Sequence, residues 1–420
     1  MIKTHKYKIL AALGFLVSLW FAWPVYGFYA HRDVVPLSPF GWLQVPEEAP
    51  SAQNLSDPAY AKAGNEALKI LEKHRTRMGA PSLSAAVAVR GKVVWAGATG
   101  WADIKSRTAA SPKTIFRIGS TSKALTATAL ARLVDAGLID LDAPISTYID
   151  NLPNSDWAPI TPRQLASHMA GLPHYRENGD WIGLYKTIAL RSHYVSMHEA
   201  LEIFDGSPLL YRPGEDFFYS SLGTVLLGAV ISAAADKPFL EVMEEQVFGP
   251  NDMSSTIVAP AQSRGSGDIA TFYKRRNGKV RPWRDVDLSH RLPGGGFAST
   301  PTDLVKMGIA ILDDRYISAS TREAFWTQQT LANGSVNEQG YAIGWRTREW
   351  EIDGVGLVRN ANHGGVSRGA QSWLLVFPDH EMALAFNINS KTDEFREFGW
   401  ATYQDLARLF IQAQSLIARQ

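Results

Sequence analysis

The chain has 420 residues, 45% hydrophobic and 20% charged, with a formal net charge of +1 and no cysteine. That charge balance gives no general electrostatic handle for nucleic acid, and without cysteine there is no disulfide, thiolate metal site or thiol nucleophile. The length suits one large domain or a main domain with a subdomain.

The N-terminus is the first informative stretch. Lys3, Lys6 and Lys8 precede ILAALGFLVSLWFAWPVYGFYA, residues 9–30, which carries no charged side chain. As a helix this run spans about 33 Å, enough to cross a bilayer. Val25-Tyr26-Gly27 is a passable signal-cleavage site, but the length favours an uncleaved anchor. The lysines then stay cytoplasmic and the rest of the chain is exported to a periplasm or its equivalent; cleavage would release it as a secreted protein. Residues 1–30 are therefore expected to be an anchor or signal segment. Residues 31–58, rich in Pro and Ser, are expected to be a tether, and residues 59–420 the folded domain.

A helix is expected over AYAKAGNEALKILEKHRTRMG, ending near Gly79, followed by two β-rich runs joined at Arg90-Gly91. Leu125, Ala129, Leu130, Leu133 and Val134 fall at helical spacing. Thr300-Pro301-Thr302-Asp303 has the form of a helix start, with a capping threonine, a first-turn proline and an acid near the positive end. From Tyr341 the pattern turns β-rich, through YAIGWR, GVGLVRN, SWLLVF and MALAFNI. The residues from about Asp393 read as an amphipathic helix. β-structure near both ends with a helical middle predicts an α+β fold: one antiparallel sheet built from distant segments, with an inserted, mainly helical subdomain.

Ser120 and Lys123 begin the helical pattern and form the only S-x-x-K in the chain. Positions i and i+3 share a helix face, so the two side chains can meet. A serine hydroxyl needs a base to take its proton as it attacks. Lysine can be that base only when neutral, and an apolar pocket disfavours its ammonium. The bland alternative is a capping serine and a surface lysine, and for an isolated S-x-x-K it is the commoner one.

The flanking sequence decides between them. FRIGSTSKALTATALARLVDAGLIDLDAPISTYI resembles the nucleophile region of the serine β-lactamase and penicillin-binding-protein superfamily, on its class C and D-alanyl-D-alanine carboxypeptidase side. ITPRQLASHMAGLPHY, YRPGEDFFYSSLGTVLLGAVI and NHGGVSRGAQSWLLVF resemble later blocks of that family, in its order, from roughly residue 60 onward. The style around Ser120 and His363 is close to the mitochondrial serine β-lactamase-like protease branch. The resemblance implies that Ser120 is the nucleophile and that Lys123 and Tyr219 move protons. Ser221 stands where the family has the asparagine of Y-x-N, on the substrate side. His363-Gly364-Gly365 takes the K-T-G or H-x-G place, with His363 orienting the Tyr219 and Ser120 network. Gly365 lets the strand approach the substrate, and Val366 offers its N–H to an oxyanion together with Ser120's own. His168 falls where the family has a structural residue.

Two local patterns mislead. Gly294-Gly295-Gly296 lacks the rest of a phosphate-binding loop and is expected to be a tight loop near the cleft. Gly365-Val366-Ser367-Arg368-Gly369 fits G-x-S-x-G, but that elbow needs a strand, a turn and then a helix. The run SWLLVFPDHEMALAF after it reads as a β-hairpin instead. No metal or organic cofactor is expected. The expected partner is a small molecule or peptide with an amide, lactam or ester carbonyl, turned over through a Ser120 acyl-enzyme. Carboxypeptidase, β-lactamase-like, esterase and protease activities stay open, as does a non-catalytic scaffold.

Overall fold

The computed structural model describes residues 2–392 and 395–419, without the side chains of 2–6 and 395–398. The side chains of Lys3 and Lys6, and all of Asp393, lie outside the described residues. Helix α1 runs Ile2–Ala30, and within it Tyr7–Ala30 is long and apolar enough to cross a membrane. Its last turns pack on the domain. The Tyr185 hydroxyl donates to the Phe21 carbonyl at 3.3 Å, and the Phe21 and Tyr185 rings lie 5.8 Å apart.

Part of the stretch expected as a tether is paired. Ser51–Leu55 forms edge strand β1, and Leu43–Gln44 pairs with Lys279–Val280. SAQNL offers too little apolar surface to read as a strand; its ladder partner supplies the main-chain bonds that specify it. The chain continues through α2 (Ala61–Met78), β2 (Ser82–Val89), β3 (Lys92–Asp103) and α3 (Ser122–Asp135). The helical middle includes α4 (Trp181–Ala189), α5 (Ser221–Ala235) and α6 (Pro301–Ala310). Strands β4 (Arg346–Ile352), β5 (Gly356–Ser367), β6 (Ala370–Phe377) and β7 (Met382–Ile388) and helix α7 (Phe395–Ile417) close the domain.

These strands form one antiparallel sheet in the order β4-β5-β6-β7-β2-β3-β1, with Thr108–Ala109 paired beside β3. The two chain halves meet where β7 pairs with β2, from Met382 opposite Val89 to Ile388 opposite Leu83. This is the α+β arrangement the sequence predicts. Alternate residues divide between two cores, as the period of a strand requires. Ala85, Val87, Leu384 and Phe377 pack with Leu71 of α2 and Phe410 of α7. Ala86, Ala88, Ala383 and Ala385 face the opposite side, in the core with Leu304 and Val305 of α6. Small residues there let α6 come close: a Cβ on Gly308 would sit 3.0 Å from the Ala383 Cβ.

The Thr300 side chain caps α6 by accepting from the Asp303 N–H at 3.1 Å. YAIGWR departs from its expected strand, which begins only at Arg346. Gly344 at φ +74° breaks the extension, and Tyr341 lies in the buried loop before it.

Candidate active site

Ser120 lies in a short 3-10 turn, Gly119–Thr121, that runs directly into α3. Helix α3 is apolar nearly all round and forms core with α5, through Leu125 and Leu130 against Leu222, Leu226 and Val230. Lys123 is carried into this interior and is 2% exposed. Its Nζ lies 2.7 Å from the Gly294 carbonyl, 3.0 Å from Ser221 Oγ and 3.4 Å from Ser120 Oγ. Burial, ahead of any neighbouring charge, lowers its pKa below the ordinary value. A neutral amine has two N–H donors and one lone pair. As the ammonium, Lys123 donates to all three oxygens; once neutral, the two shorter contacts can take its donors and leave the lone pair for the serine hydroxyl.

The glycine-rich segment expected to be a tight loop is instead a single helical turn, Leu292–Gly295, and Gly294 holds the lysine. Ser221, expected on the substrate side, is buried and bonded to the same amine.

Tyr219 lies over this pair, with Lys123 Nζ 5.0 Å from its ring centroid. Desolvation works to raise its pKa, but Lys123 and Arg346 and the polar hydrogens of Ser120 and Lys123 outweigh it and hold the phenol below 10. A second phenol, Tyr341, has its ring 6.1 Å away. Burial, reinforced by Tyr219, pushes Tyr341 well above the ordinary value. The Arg346 guanidinium carbon is 5.4 Å from the first ring centroid and 4.9 Å from the second. Two like groups are thus driven apart, one toward phenolate and one fixed as a phenol.

Three histidines surround the tyrosines, and burial holds each below its ordinary pKa. His363 Nδ1 lies 2.9 Å from the Gly364 carbonyl, which only accepts, so Nδ1 carries the proton. Nε2 then accepts from the Tyr341 hydroxyl at 2.8 Å. The hydrogen bonds of the His363 ring thus go to Tyr341 and the Gly364 carbonyl and, among the described residues, not to Tyr219 or Ser120 as expected. His174 Nδ1 accepts from the Ser221 N–H at 3.1 Å, and its pKa falls to about 3 through burial, Lys123 and Arg291. His168 Nδ1 accepts from the Ser220 N–H at 3.3 Å, and its ring lies 4.2 Å from that of Tyr219. These two rings orient the start of α5 and the tyrosine before it.

Strand β5 passes beside Ser120. Gly119 has φ +51°, and a Cβ there would lie 2.6 Å from the Val366 carbonyl and 2.8 Å from its nitrogen. A Cβ on Gly365 would come 1.9 Å from the Ile118 carbonyl. The two glycines allow this approach, and it places the Val366 backbone nitrogen against the residue preceding Ser120. Thr121 Oγ1 secures the same strand by donating to the His363 carbonyl at 3.3 Å. Ser367 ends β5 in the hairpin with β6, so G-x-S-x-G here is no nucleophile elbow. Tyr341, Arg346 and His174 carry no sequence signal that marks them as functional. They come from separate segments, and no short-range pattern links them to Ser120.

An antiparallel sheet flanked by helices, with a serine-lysine pair at the head of a buried helix and a glycine-bearing strand alongside, is the architecture of the serine β-lactamases and penicillin-binding proteins. The chain belongs to the Beta-lactamase family, which it matches over residues 69–409. It is 28% identical over 407 residues to the serine beta-lactamase-like protein LACTB, mitochondrial, of Homo sapiens, covering 76% of this chain and 73% of the human protein. It is 22% identical over 317 residues to penicillin-binding protein 4* of Bacillus subtilis (strain 168), covering 72% of this chain and 67% of that one. The fold matches D-amino acid amidase from Ochrobactrum anthropi SV3 with a TM-score of 0.66 at 21% identity, over 84% of this chain and 100% of the amidase. The octameric penicillin-binding protein homologue from Pyrococcus abyssi gives 0.65 at 22% identity, over 82% and 77%.

Proposed function

We propose that the protein is a membrane-anchored serine hydrolase, in which residues 1–30 anchor a catalytic domain spanning 59–420 outside the cytoplasm. The observation that carries the catalytic reading is the bonding of Lys123. Its amine is buried, 2.7 Å from the Gly294 carbonyl, 3.0 Å from Ser221 Oγ and 3.4 Å from Ser120 Oγ, so that once it has lost its proton its lone pair can turn to Ser120. Ser120 Oγ attacks an amide, lactam or ester carbonyl, and its proton passes to Lys123 or Tyr219. The oxyanion is stabilised by the backbone N–H groups of Ser120 and Val366. The same proton then goes to the leaving group; water, deprotonated by Tyr219, attacks the acyl-enzyme, and that proton passes to Ser120 Oγ as the acyl group leaves.

Tyr341 and Arg346 keep Tyr219 in its role. The neutral His363–Tyr341 pair fixes one phenol, and the Arg346 charge favours ionisation of the other. The apolar helix Tyr7–Ala30 supports the anchor. Intact-mass analysis after a fluorophosphonate or a β-lactam is expected to show one adduct, on Ser120. Ser120→Ala is expected to abolish labelling and Ser367→Ala to preserve it; the reverse pattern sinks the assignment. Turnover of nitrocefin, a nitrophenyl ester and a D-Ala-D-Ala peptide by one preparation separates the substrate classes. Labelling of Ser120 also separates an enzyme from a scaffold that keeps only the fold.

A further inference from the structure

Four arginines gather between the end of α1 and the segments that carry Gly294 and Val366. The Arg368 guanidinium carbon is 5.8 Å from the Phe28 ring centroid, and that of Arg32 is 5.0 Å from the same centroid. Arg291 stacks on Tyr175 at 4.1 Å. Arg284 is near enough to Arg368 for its charge to be felt there, and it feels Arg291 in turn. Among the described residues, none of the four forms an ion pair with a carboxylate. Arg284 spends its donors on the Ala189 and Ile188 carbonyls, and Arg291 gives Nε to His290. The side chains of Arg32 and Arg368 donate to nothing among the described residues.

Burial and the charges of Arg291, Arg284 and Arg32 push the Arg368 pKa down to about 9. A guanidinium does not give up its proton as a lysine can, so the strain persists as a demand for an anion. The cluster also flanks the chemistry. Arg368 lies two residues after Val366, and its carbonyl is held by Arg117 at 3.0 Å. Arg291 lies three residues before Gly294, the partner of Lys123.

The other side of the cluster is apolar. Phe28 belongs to the helix long enough to span a membrane. Beside it, α4 packs on α1 while leaving Trp181 and Ile182 82% and 70% exposed. An exposed tryptophan and isoleucine next to a membrane helix extend its apolar surface at headgroup level.

We propose that Arg32, Arg291 and Arg368 form a headgroup subsite for an anionic, membrane-borne acyl amphiphile, presented to Ser120 from the bilayer side. In a glycerophospholipid-type molecule the acyl carbonyl is only a few bonds from the phosphate, which suits cations set on the segments flanking the nucleophile. Planar guanidinium groups match phosphate oxygens in pairs. Calling the bound molecule a substrate rests on the hydrolase reading above; its binding does not.

The test is calorimetry on the full-length Ser120→Ala chain in neutral detergent micelles, titrated with dihexanoyl phosphatidylglycerol, dihexanoyl phosphatidylcholine or inorganic phosphate. The phosphatidylglycerol is expected to bind at least about tenfold tighter than the other two. Adding Arg368→Gln or Arg291→Gln should erase about tenfold of that preference. Arg32→Gln changes an exposed side chain, keeps the fold, and should weaken binding in the same direction. Equal affinity for the two lipids overturns the proposal, as does indifference of phosphatidylglycerol binding to all three substitutions. Inorganic phosphate binding as tightly as the lipid replaces it with a soluble-anion site. Fluorophosphonate labelling of the unsubstituted chain reports separately on the hydrolase.

Discussion

Lys123 is buried and Arg368 half-buried, and both cations sit on segments that meet at the same serine, yet their surroundings differ in kind. The lysine has a carbonyl and two hydroxyls around its nitrogen and a phenol over it. The arginine has an aromatic ring, three other arginines and no carboxylate. A lysine can answer desolvation by losing its proton, and a neutral amine is useful as a base. An arginine cannot, so its environment remains unbalanced until something negative arrives. The same physical penalty thus underlies a proposed catalyst in one place and a proposed binding site in the other.

The largest effect expected from breaking that contrast is at the lysine. Lys123→Ala should slow fluorophosphonate labelling by about 10²- to 10⁴-fold. Lys123→Arg should do no better, because a permanent cation restores charge without restoring a lone pair. Labelling of the arginine variant at the original rate would remove the neutral-amine role.

The pH dependence sharpens the same point. Burial lowers the Lys123 pKa from 10.5. Between the lowered value and 10.5 the folded chain binds fewer protons than the unfolded chain, so this group makes stability rise with pH across that window. Below the lowered value, the labelling rate should climb by about tenfold per pH unit as the ammonium deprotonates, then level off. A rate flat across that range, measured alongside Lys123→Ala, would assign the proton transfer elsewhere.

The smallest effect concerns stability at the arginines. Arg368→Gln removes an uncompensated charge and should raise the Tm of the full chain in detergent by on the order of 2 °C, a gain in stability at the expense of binding. A fall in Tm would mean that the guanidinium is already satisfied.

How much of the molecule is legible in its sequence depends on the range of the interactions. The hairpin at Arg90-Gly91, the capped start of α6 and the Ser120–Lys123 pairing rest on neighbours within a few residues, and each leaves a local pattern. Family resemblance carries Tyr219, His363 and Val366, whose roles no spacing announces. Tyr341, Arg346 and His174 lie beyond both. Tyr341 reaches Tyr219 across more than a hundred residues of chain, through a loop whose apolar pattern reads as strand. Strand β1 is hidden because its pairing, not its side chains, defines it. The arginine cluster draws on three separate stretches of chain, and a net charge of +1 conceals it.

The packing of α1 on the domain has a kinetic consequence. Phe21 against Tyr185 and Phe28 against Arg368 mean that, with this helix in a bilayer, the cleft does not swing on a leash. Anchored in the proposed way, it would keep one fixed attitude above the lipid plane. Encounters with an embedded molecule then become a two-dimensional search, and turnover would follow the mole fraction of that molecule in the surface rather than its amount per litre.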